Sequence, residues 1–259
     1  MNGAGDNTPL RDHVGDALNA ASGALTPRES TSLSIARMVE PHALAPPQLK
    51  ERQLIHRDGS IRDLTDAFRE VRTRLIALGG PQSFVTLVVP VSTRSGGSFV
   101  ARNLAAAFAL DEAKTALLID CNLRHPDQHK ALGVDTAKGG LIDYLEHPAL
   151  GVENILYHTG IPRLRLIPAG QLRERGDELF SSFRMRAVLD SLRCRYNDRY
   201  LFLDGPAIKG SPDARILSDL ADFIVVVAGY GRDTPTSINQ CVAGFDPEKL
   251  AGVVFNHAP

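Results

Sequence analysis

The sequence lacks the features that mark several classes of protein. Its three cysteines, Cys121, Cys194 and Cys241, follow no metal-ligand or disulfide spacing, which fits a reducing cytoplasm. Its longest apolar runs reach about eight residues, whereas a membrane-spanning helix needs roughly 20. The N-terminus has no basic segment followed by an apolar one, so it does not read as a signal peptide. We therefore expect a cytoplasmic protein that reaches a membrane only through a partner.

Charge of one sign is also scarce. The formal net charge is −1, and acidic and basic residues are interspersed. This balance gives no electrostatic reason to expect binding to nucleic acid or to an anionic lipid surface.

What is present divides the chain into two parts. Residues 1–58 are rich in Gly, Ser, Pro and Ala, and Pro41, Pro46 and Pro47 exclude a long helix there. This composition predicts a flexible arm. Residues 59–259 alternate between apolar strand patterns and helical patterns, which predicts a single α/β domain.

The second part predicts a mostly parallel sheet with helices on both faces, because its strands are almost wholly apolar and helices separate them. Strands are expected at 84–89, 115–120, 164–168, 200–204, 223–228 and 252–256. Helices are expected at 63–78, 98–110, 179–195, 214–220 and 235–245. Ligands of such sheets bind at the carboxyl ends of the strands.

A loop rich in Ser and Gly joins the first strand to the next helix. Its sequence, PVSTRSGGS, ends at Ser98, the first residue of that predicted helix. Backbone N–H groups of such a loop bind phosphate with the help of the helix dipole. A tight strand-to-helix turn with Ser98 as a cap is the alternative interpretation.

Two later strands end in aspartate. In TALLIDCNLRHP the strand ends at Asp120, and Asn122 and Arg124 follow at spacings of two, so the three side chains are expected on one face. In RYLFLDGP the strand ends at Asp204, a pattern typical of a carboxylate that supports Mg²⁺. Surface Asp–Arg pairing is the alternative for the first segment.

These segments together resemble the bacterial tyrosine kinases of exopolysaccharide synthesis. LLIDCNLRHP resembles their Walker A′ motif, Asp-x-Asp-x-Arg, and LFLDGP resembles their Walker B motif. NLAAAFAL, GGLIDYL, SPDARILSDLADFIVVV and GVVFN match the layout of the family from about residue 60 onward. The resemblance implies a P-loop fold of the MinD type.

The resemblance also implies a nucleotide site. It assigns catalysis to Asp120, Asp204 and the position of Asn122, and a Mg²⁺ ion to Ser98, Asp120 and Asp204. Residues that would bind ATP or ADP are Arg94, Ser95, Gly96, Gly97, Ser98, Phe99, Arg124 and Asn256. Family members dock onto a membrane-embedded, Wzz-like regulator of polysaccharide chain length. Because no membrane helix is expected, the regulator would be a separate chain at the inner membrane.

The sequence departs from the family pattern at three points. The family's Gly-Glu-Gly-Lys-Ser falls on residues 94–98, so its lysine position is Gly97. Losing one preorganised electrostatic partner costs roughly 10²–10³ in rate, and a Gly97→Lys change is expected to restore it. The second acid of Walker A′ is Asn122, and FNHAP ends the sequence without a tyrosine cluster. The resemblance therefore implies weak or absent catalysis.

Two alternative functions remain. An active kinase would need a substitute cation, either Arg94 or an arginine from a partner, whereas Arg102 is expected to face elsewhere. A positioning ATPase of the MinD/ParA type would carry a lysine where Ser92 stands, which makes this alternative weaker.

The predicted helix 63–78 carries DAFREVRTRL, which resembles the family's oligomerisation helix. Asp66, Arg69 and Arg72 lie three residues apart and are expected on one helix face. The resemblance implies a homo-oligomer joined by this face. A solvated face with local ion pairs is the alternative.

Overall fold

The computed structural model describes residues 40–56, 62–80, 82–171, 176–194 and 198–256. Its strands are β1 (Val85–Pro90), β2 (Thr115–Asp120), β3 (Tyr157–His158), β4 (Leu164–Ile167), β5 (Arg199–Asp204), β6 (Phe223–Gly229) and β7 (Leu250–Asn256). Its α-helices are α1 (Pro46–Glu51), α2 (Arg62–Gly79), α3 (Gly97–Ala109), α4 (Gln128–Leu132), α5 (Leu141–Glu146), α6 (Phe183–Cys194), α7 (Asp213–Leu220) and α8 (Pro235–Val242).

The strands form one sheet in the order β3-β4-β2-β5-β1-β6-β7. All neighbours run parallel except β3 and β4, which are antiparallel. The predicted α/β fold is therefore confirmed. Since β1, β2 and β5 are adjacent and parallel, the loop after β1 and the aspartates that end β2 and β5 meet at one edge of the sheet.

Hydrophobic side chains pack on both faces of the sheet. Alternation along β1 sends Leu87 into a cluster with α5, α6, α7 and α8, and Val88 into a cluster with α2 and α3. Strands buried on both faces have near-continuous apolar sequences, because almost every side chain faces a packed layer. Among the described residues, no helix is both long and apolar enough to traverse a lipid bilayer.

Two predicted helices are shorter in the structure. The pattern over 179–195 is divided into a 3₁₀ helix, Gly176–Ser181, and α6, which begins at Phe183. The helix expected at 235–245 ends at Val242.

The arm predicted for residues 1–58 differs from the structure over residues 40–56, which pack on the domain. Leu54 and Ile55 are buried in the cluster beside α3. The Ile55 amide donates to Asn103 Oδ1 (2.9 Å), and Asn103 Nδ2 donates to the carbonyl of Gln53 (3.0 Å). This segment is therefore part of the folded unit; residues 1–39, 57 and 58 lie outside the described residues.

Leu54→Ala is expected to destabilise the domain by about 2–5 kcal/mol, because it opens a cavity in a fully buried position. The matched control is Leu78→Ala, at a leucine that is 52% exposed, with an expected change within about 0.5 kcal/mol. Urea unfolding measures both. Equal effects of the two variants would show that residues 40–56 do not stabilise the fold.

Candidate functional site

A cavity of about 740 Å³ opens at the carboxyl edge of the sheet. Its floor is the turn between β1, which ends at Pro90, and α3, which begins at Gly97. Arg94 (φ 67°) and Gly96 (φ 88°) adopt left-handed backbone conformations in this turn. The first N–H groups of α3 have no partner within the helix and carry its positive dipole end. This geometry suits an anion.

Asp233, in the turn before α8, holds the loop from behind. Its carboxylate accepts from the hydroxyls of Ser92 and Ser95, both at 2.6 Å, and from the Gly229 amide at 2.8 Å. Burial alone would raise the pKa of Asp233, but these hydrogen bonds outweigh it, and the pKa lies below its usual value. The predicted nucleotide residue Ser95 is fully buried, so its side chain supports the loop.

Asn256, predicted to bind nucleotide, also lies behind the loop. Its Nδ2 donates to the Ser95 carbonyl at 3.2 Å, and the residue is not part of the cavity lining. A Cβ at position 96 would lie 2.0 Å from this Nδ2. Glycine at position 96 therefore suits the left-handed backbone angle, and a Cβ there would displace the Asn256 amide group.

Gly97 lies against the ring of Pro90. A Cβ built at position 97 would lie 2.6 Å from Pro90 Cδ and 2.8 Å from Cγ. Contacts this short force rigid atoms to move, and the proline ring is not a flexible chain end. A lysine at position 97 therefore does not fit while Pro90 is present. The expectation that Gly97→Lys alone restores the site is corrected accordingly.

The aspartates that end β2 and β5 lie side by side beneath the cavity. Asp120 and Asp204 are register partners and have no exposed surface. Gln128, at the start of α4, contacts both aspartates. Its backbone N–H donates to Asp120 Oδ2 (3.2 Å), and its side-chain Nε2 donates to Asp204 Oδ2 (2.7 Å). The second oxygen of Asp204, Oδ1, is buried and accepts no hydrogen bond from the described residues.

Burial raises the pKa of both carboxyl groups. The pKa of Asp204 rises to about 7, an effect partly opposed by the hydrogen bond from Gln128 and by the nearby Ser98 hydroxyl. Burial, followed by the charge of Asp204, raises the pKa of Asp120 well above its usual value. Two adjacent buried carboxylates favour a proton or another cation between them.

Asp127 adds a third carboxylate that the sequence motifs did not single out. Ligand atoms of Asp120, Asp127 and Asp204 lie within 4.8 Å of one another. Carboxylate and hydroxyl oxygens are the ligands that Mg²⁺ prefers, and Ser98 lines the cavity above. With the unpartnered oxygen of Asp204, these groups fit a divalent cation.

Asn122 and Arg124 line the cavity, and Asp120 lies buried beneath it, so the shared face of the three side chains stays a prediction. The Asp120 carboxylate accepts from the backbone amide of Asn122 (3.1 Å). Arg124 is half exposed and pairs with Asp213 at 3.8 Å. Asp120 and Arg124 therefore do not form the surface pair considered as the alternative.

The cationic lining differs from the expected one. Arg94 and Phe99 line the cavity as predicted, but so does Arg102, which was expected to face elsewhere. Arg102 is only 6% exposed, and its Nη1 donates to Gln128 Oε1 (3.1 Å). Helical periodicity predicts this position, because Arg102 is four residues after Ser98 and therefore lies on the same face of the helix. Lys209 and Arg232 also contribute to the lining.

Helix α2 carries the residues predicted to join subunits. Asp66 and Arg69 form an exposed ion pair at 3.1 Å. Arg72 instead turns toward α3, where its Nη1 donates to the carbonyl of Ala107 (2.9 Å). The three residues therefore do not form one cluster within this chain, and the interface stays a prediction.

Asp233→Ala is expected to lower the free energy of unfolding by about 1–3 kcal/mol, because it leaves the Ser92 and Ser95 hydroxyls without their acceptor. Asp246→Ala serves as the control. Asp246 accepts a hydrogen bond from the Glu248 amide in an exposed turn, and its loss should change the free energy of unfolding by less than about 0.5 kcal/mol. Denaturant unfolding compares them. An unchanged free energy for Asp233→Ala would mean that this carboxylate does not hold the loop.

No protein-family model matches the chain, but individual relatives do. The tyrosine-protein kinase Wzc of Salmonella typhimurium is 31% identical over 194 residues, which cover 74% of this chain and 26% of Wzc. The chain thus matches about a quarter of the length of that relative. The tyrosine-protein kinase CpsD of Streptococcus agalactiae is 24% identical over 191 residues, covering 73% of this chain and 81% of CpsD.

Solved structures share the fold. The kinase domain of VpsO superposes with a TM-score of 0.68 at 24% identity, covering 78% of this chain and 98% of that domain. The cell division ATPase MinD of Pyrococcus furiosus gives a TM-score of 0.53 at 22% identity, covering 67% of this chain and 72% of MinD. Relatives named as tyrosine-protein kinases, which match about three quarters of this chain, together with the shared fold, support assignment of the chain to the bacterial tyrosine-kinase family.

Proposed function

We propose that this chain is the tyrosine-kinase-like component of an exopolysaccharide assembly system, and that it binds ATP or ADP but transfers phosphate slowly. The observation that carries the proposal is the contact between Pro90 and Gly97. A phosphate-binding turn is present, yet a lysine side chain has no room at the position where the family places it. Binding through backbone amides survives this loss, whereas charge stabilisation during transfer does not.

The turn and the helix start are proposed to hold the nucleotide phosphates. Backbone N–H groups of Gly96, Gly97 and Ser98 supply fixed dipoles that need no side chain. Ser98, Asp120 and Asp204 are proposed to hold Mg²⁺, with Asp127 as a further oxygen donor. When bound, such an ion neutralises charge on phosphate oxygens.

The second step that we expect to be slow is removal of the proton from the substrate hydroxyl. An asparagine at position 122 lines the cavity but cannot take a proton. Asp120 can, although burial and the charge of Asp204 raise its pKa and so favour the protonated form, which cannot accept a proton. Both effects slow transfer in the proposed site.

The proposed partners are a membrane-embedded, Wzz-like regulator of polysaccharide chain length, supplied as a separate chain, and further copies of this chain. Relatives named as tyrosine kinases and as a succinoglycan biosynthesis transport protein support the polysaccharide role. The exposed Asp66–Arg69 pair on α2 is available to a second copy. Under this proposal the chain works at the cytoplasmic side of the inner membrane through its regulator.

A second candidate function is an active kinase with a substitute cation. Arg94, Lys209 and Arg232 line the cavity and favour this candidate, since any of them could approach a phosphate. Their exposure lowers the electrostatic effect of each, because solvent screens it. The MinD/ParA alternative has no comparable support beyond the shared fold.

A lysine at position 97 needs the space that the Pro90 ring occupies, so Pro90 must be replaced by a smaller residue. The double variant Pro90→Gly/Gly97→Lys is expected to transfer radiolabelled phosphate from ATP at least about 10²-fold faster than wild type. Gly97→Lys alone is expected to gain no activity and to lose about 1–3 kcal/mol of stability, because the new side chain overlaps the proline ring.

Pro90→Gly alone is the matched control, since it opens the space without adding a cation. A wild-type rate equal to that of the double variant would refute slow transfer. A single Gly97→Lys variant that is as stable as wild type and fully active would refute the steric argument.

A further inference from the structure

Arg102 is an almost fully buried guanidinium at the candidate site. It lies one helical turn after Ser98 on α3, and helical side chains lean toward the N-terminus of their helix. The guanidinium therefore reaches back toward the cavity, whose wall it joins. Only 6% of the residue is exposed, and its buried Nε has no acceptor among the described residues.

Gln128 connects this guanidinium to the acidic cluster. Its Oε1 accepts from Arg102 Nη1 (3.1 Å), while its Nε2 donates to Asp204 (2.7 Å). The backbone amide of the same residue donates to Asp120 (3.2 Å). One glutamine thus holds a cation and two carboxylates in a single arrangement, and Asp127 precedes it in the chain.

Three carboxylates with ligand atoms within 4.8 Å repel one another unless a positive charge lies nearby. The negative charges of Asp120, Asp127 and Asp204 all act on Arg102, and the charge of Asp127 has the largest effect of the three. A fixed positive charge in a poorly solvated place also repels any cation that enters later. A positive charge at this position is therefore expected to stabilise the three carboxylates when no metal is bound and to oppose metal binding.

We propose that Arg102 is a built-in counter-ion of the cluster Asp120, Asp127 and Asp204, and that it competes with a divalent cation for these carboxylates. The divalent-cation affinity of this chain is consequently low, and its nucleotide binding depends little on Mg²⁺. The second consequence rests on the proposed function; the first can be measured without nucleotide.

The test is Mn²⁺ binding, followed by electron paramagnetic resonance at pH 8, to wild type and to Arg102→Met. Methionine keeps much of the apolar stem and removes the charge. Arg102→Met is expected to bind Mn²⁺ at least about tenfold more tightly than wild type. A gain of affinity cannot arise from unfolding, and adding Asp204→Asn to this variant should abolish it.

Two further variants make the result specific. Arg102→Gln removes the charge while keeping a hydrogen-bonding group, so it should show the same gain even if methionine disturbs packing. Arg94→Met removes a charge from the exposed part of the same cavity and should change Mn²⁺ affinity less than about threefold, because solvent screens it.

Equal Mn²⁺ affinity, weaker affinity in both Arg102 variants, or no measurable binding to any of these proteins would overturn the inference. Loss of metal-free ADP binding in Arg102→Met, with Mn²⁺ affinity unchanged, would also overturn it and make Arg102 a phosphate ligand. If wild type binds no nucleotide at all, the proposed function fails, while the Mn²⁺ comparison still decides the role of Arg102.

Discussion

The close approach of the Pro90 ring to the backbone of Gly97, which leaves no space for a side chain at position 97, constrains the whole site. Pro90 ends the central strand β1, and Gly97 begins α3, so neither can move without shifting an element that packs into the core. The distances of 2.6 and 2.8 Å from a hypothetical Cβ leave no room for a side chain. Positions 90 and 97 are therefore sterically coupled, because a side chain at position 97 needs the space that the Pro90 ring occupies.

Around this contact, hydrogen bonds hold the turn that we propose binds phosphate. Asp233 and Asn256 come from the ends of β6 and β7 and hold the turn in place. The acids of β2 and β5 are brought together by parallel register. The molecule thus combines a turn whose backbone geometry suits an anion with cationic side chains in the cavity wall, one of them the buried Arg102.

Sequence patterns were sufficient for features that depend on neighbours in the chain. Strands with almost wholly apolar sequences predicted a parallel sheet covered on both sides, and aspartates at the ends of two strands had to meet once the strands were adjacent. The turn and its helix were equally predictable, since glycine and serine between a strand and a helix have few other uses.

Features that depend on distant parts of the chain were not predictable in this way. Asp233 reaches Ser92 across 141 positions, and Gln128 reaches Asp204 across 76, so no local spacing reports either contact. Burial of Leu54 depends on the surface of α3, which the composition of the N-terminal segment does not reveal. For Arg102 only one of the two features was predictable: spacing along the helix gives the face on which it lies, but not the acidic residues that surround it.

Calorimetric titration of the wild-type chain with ADP and with ATP, in the absence of divalent cations, tests the central claim most directly. Binding through backbone amides without a lysine for the terminal phosphates predicts measurable affinity for both, differing by less than about threefold. A large preference for ATP would reveal a cation that does the work of the absent lysine, and no binding of either nucleotide would contradict the account.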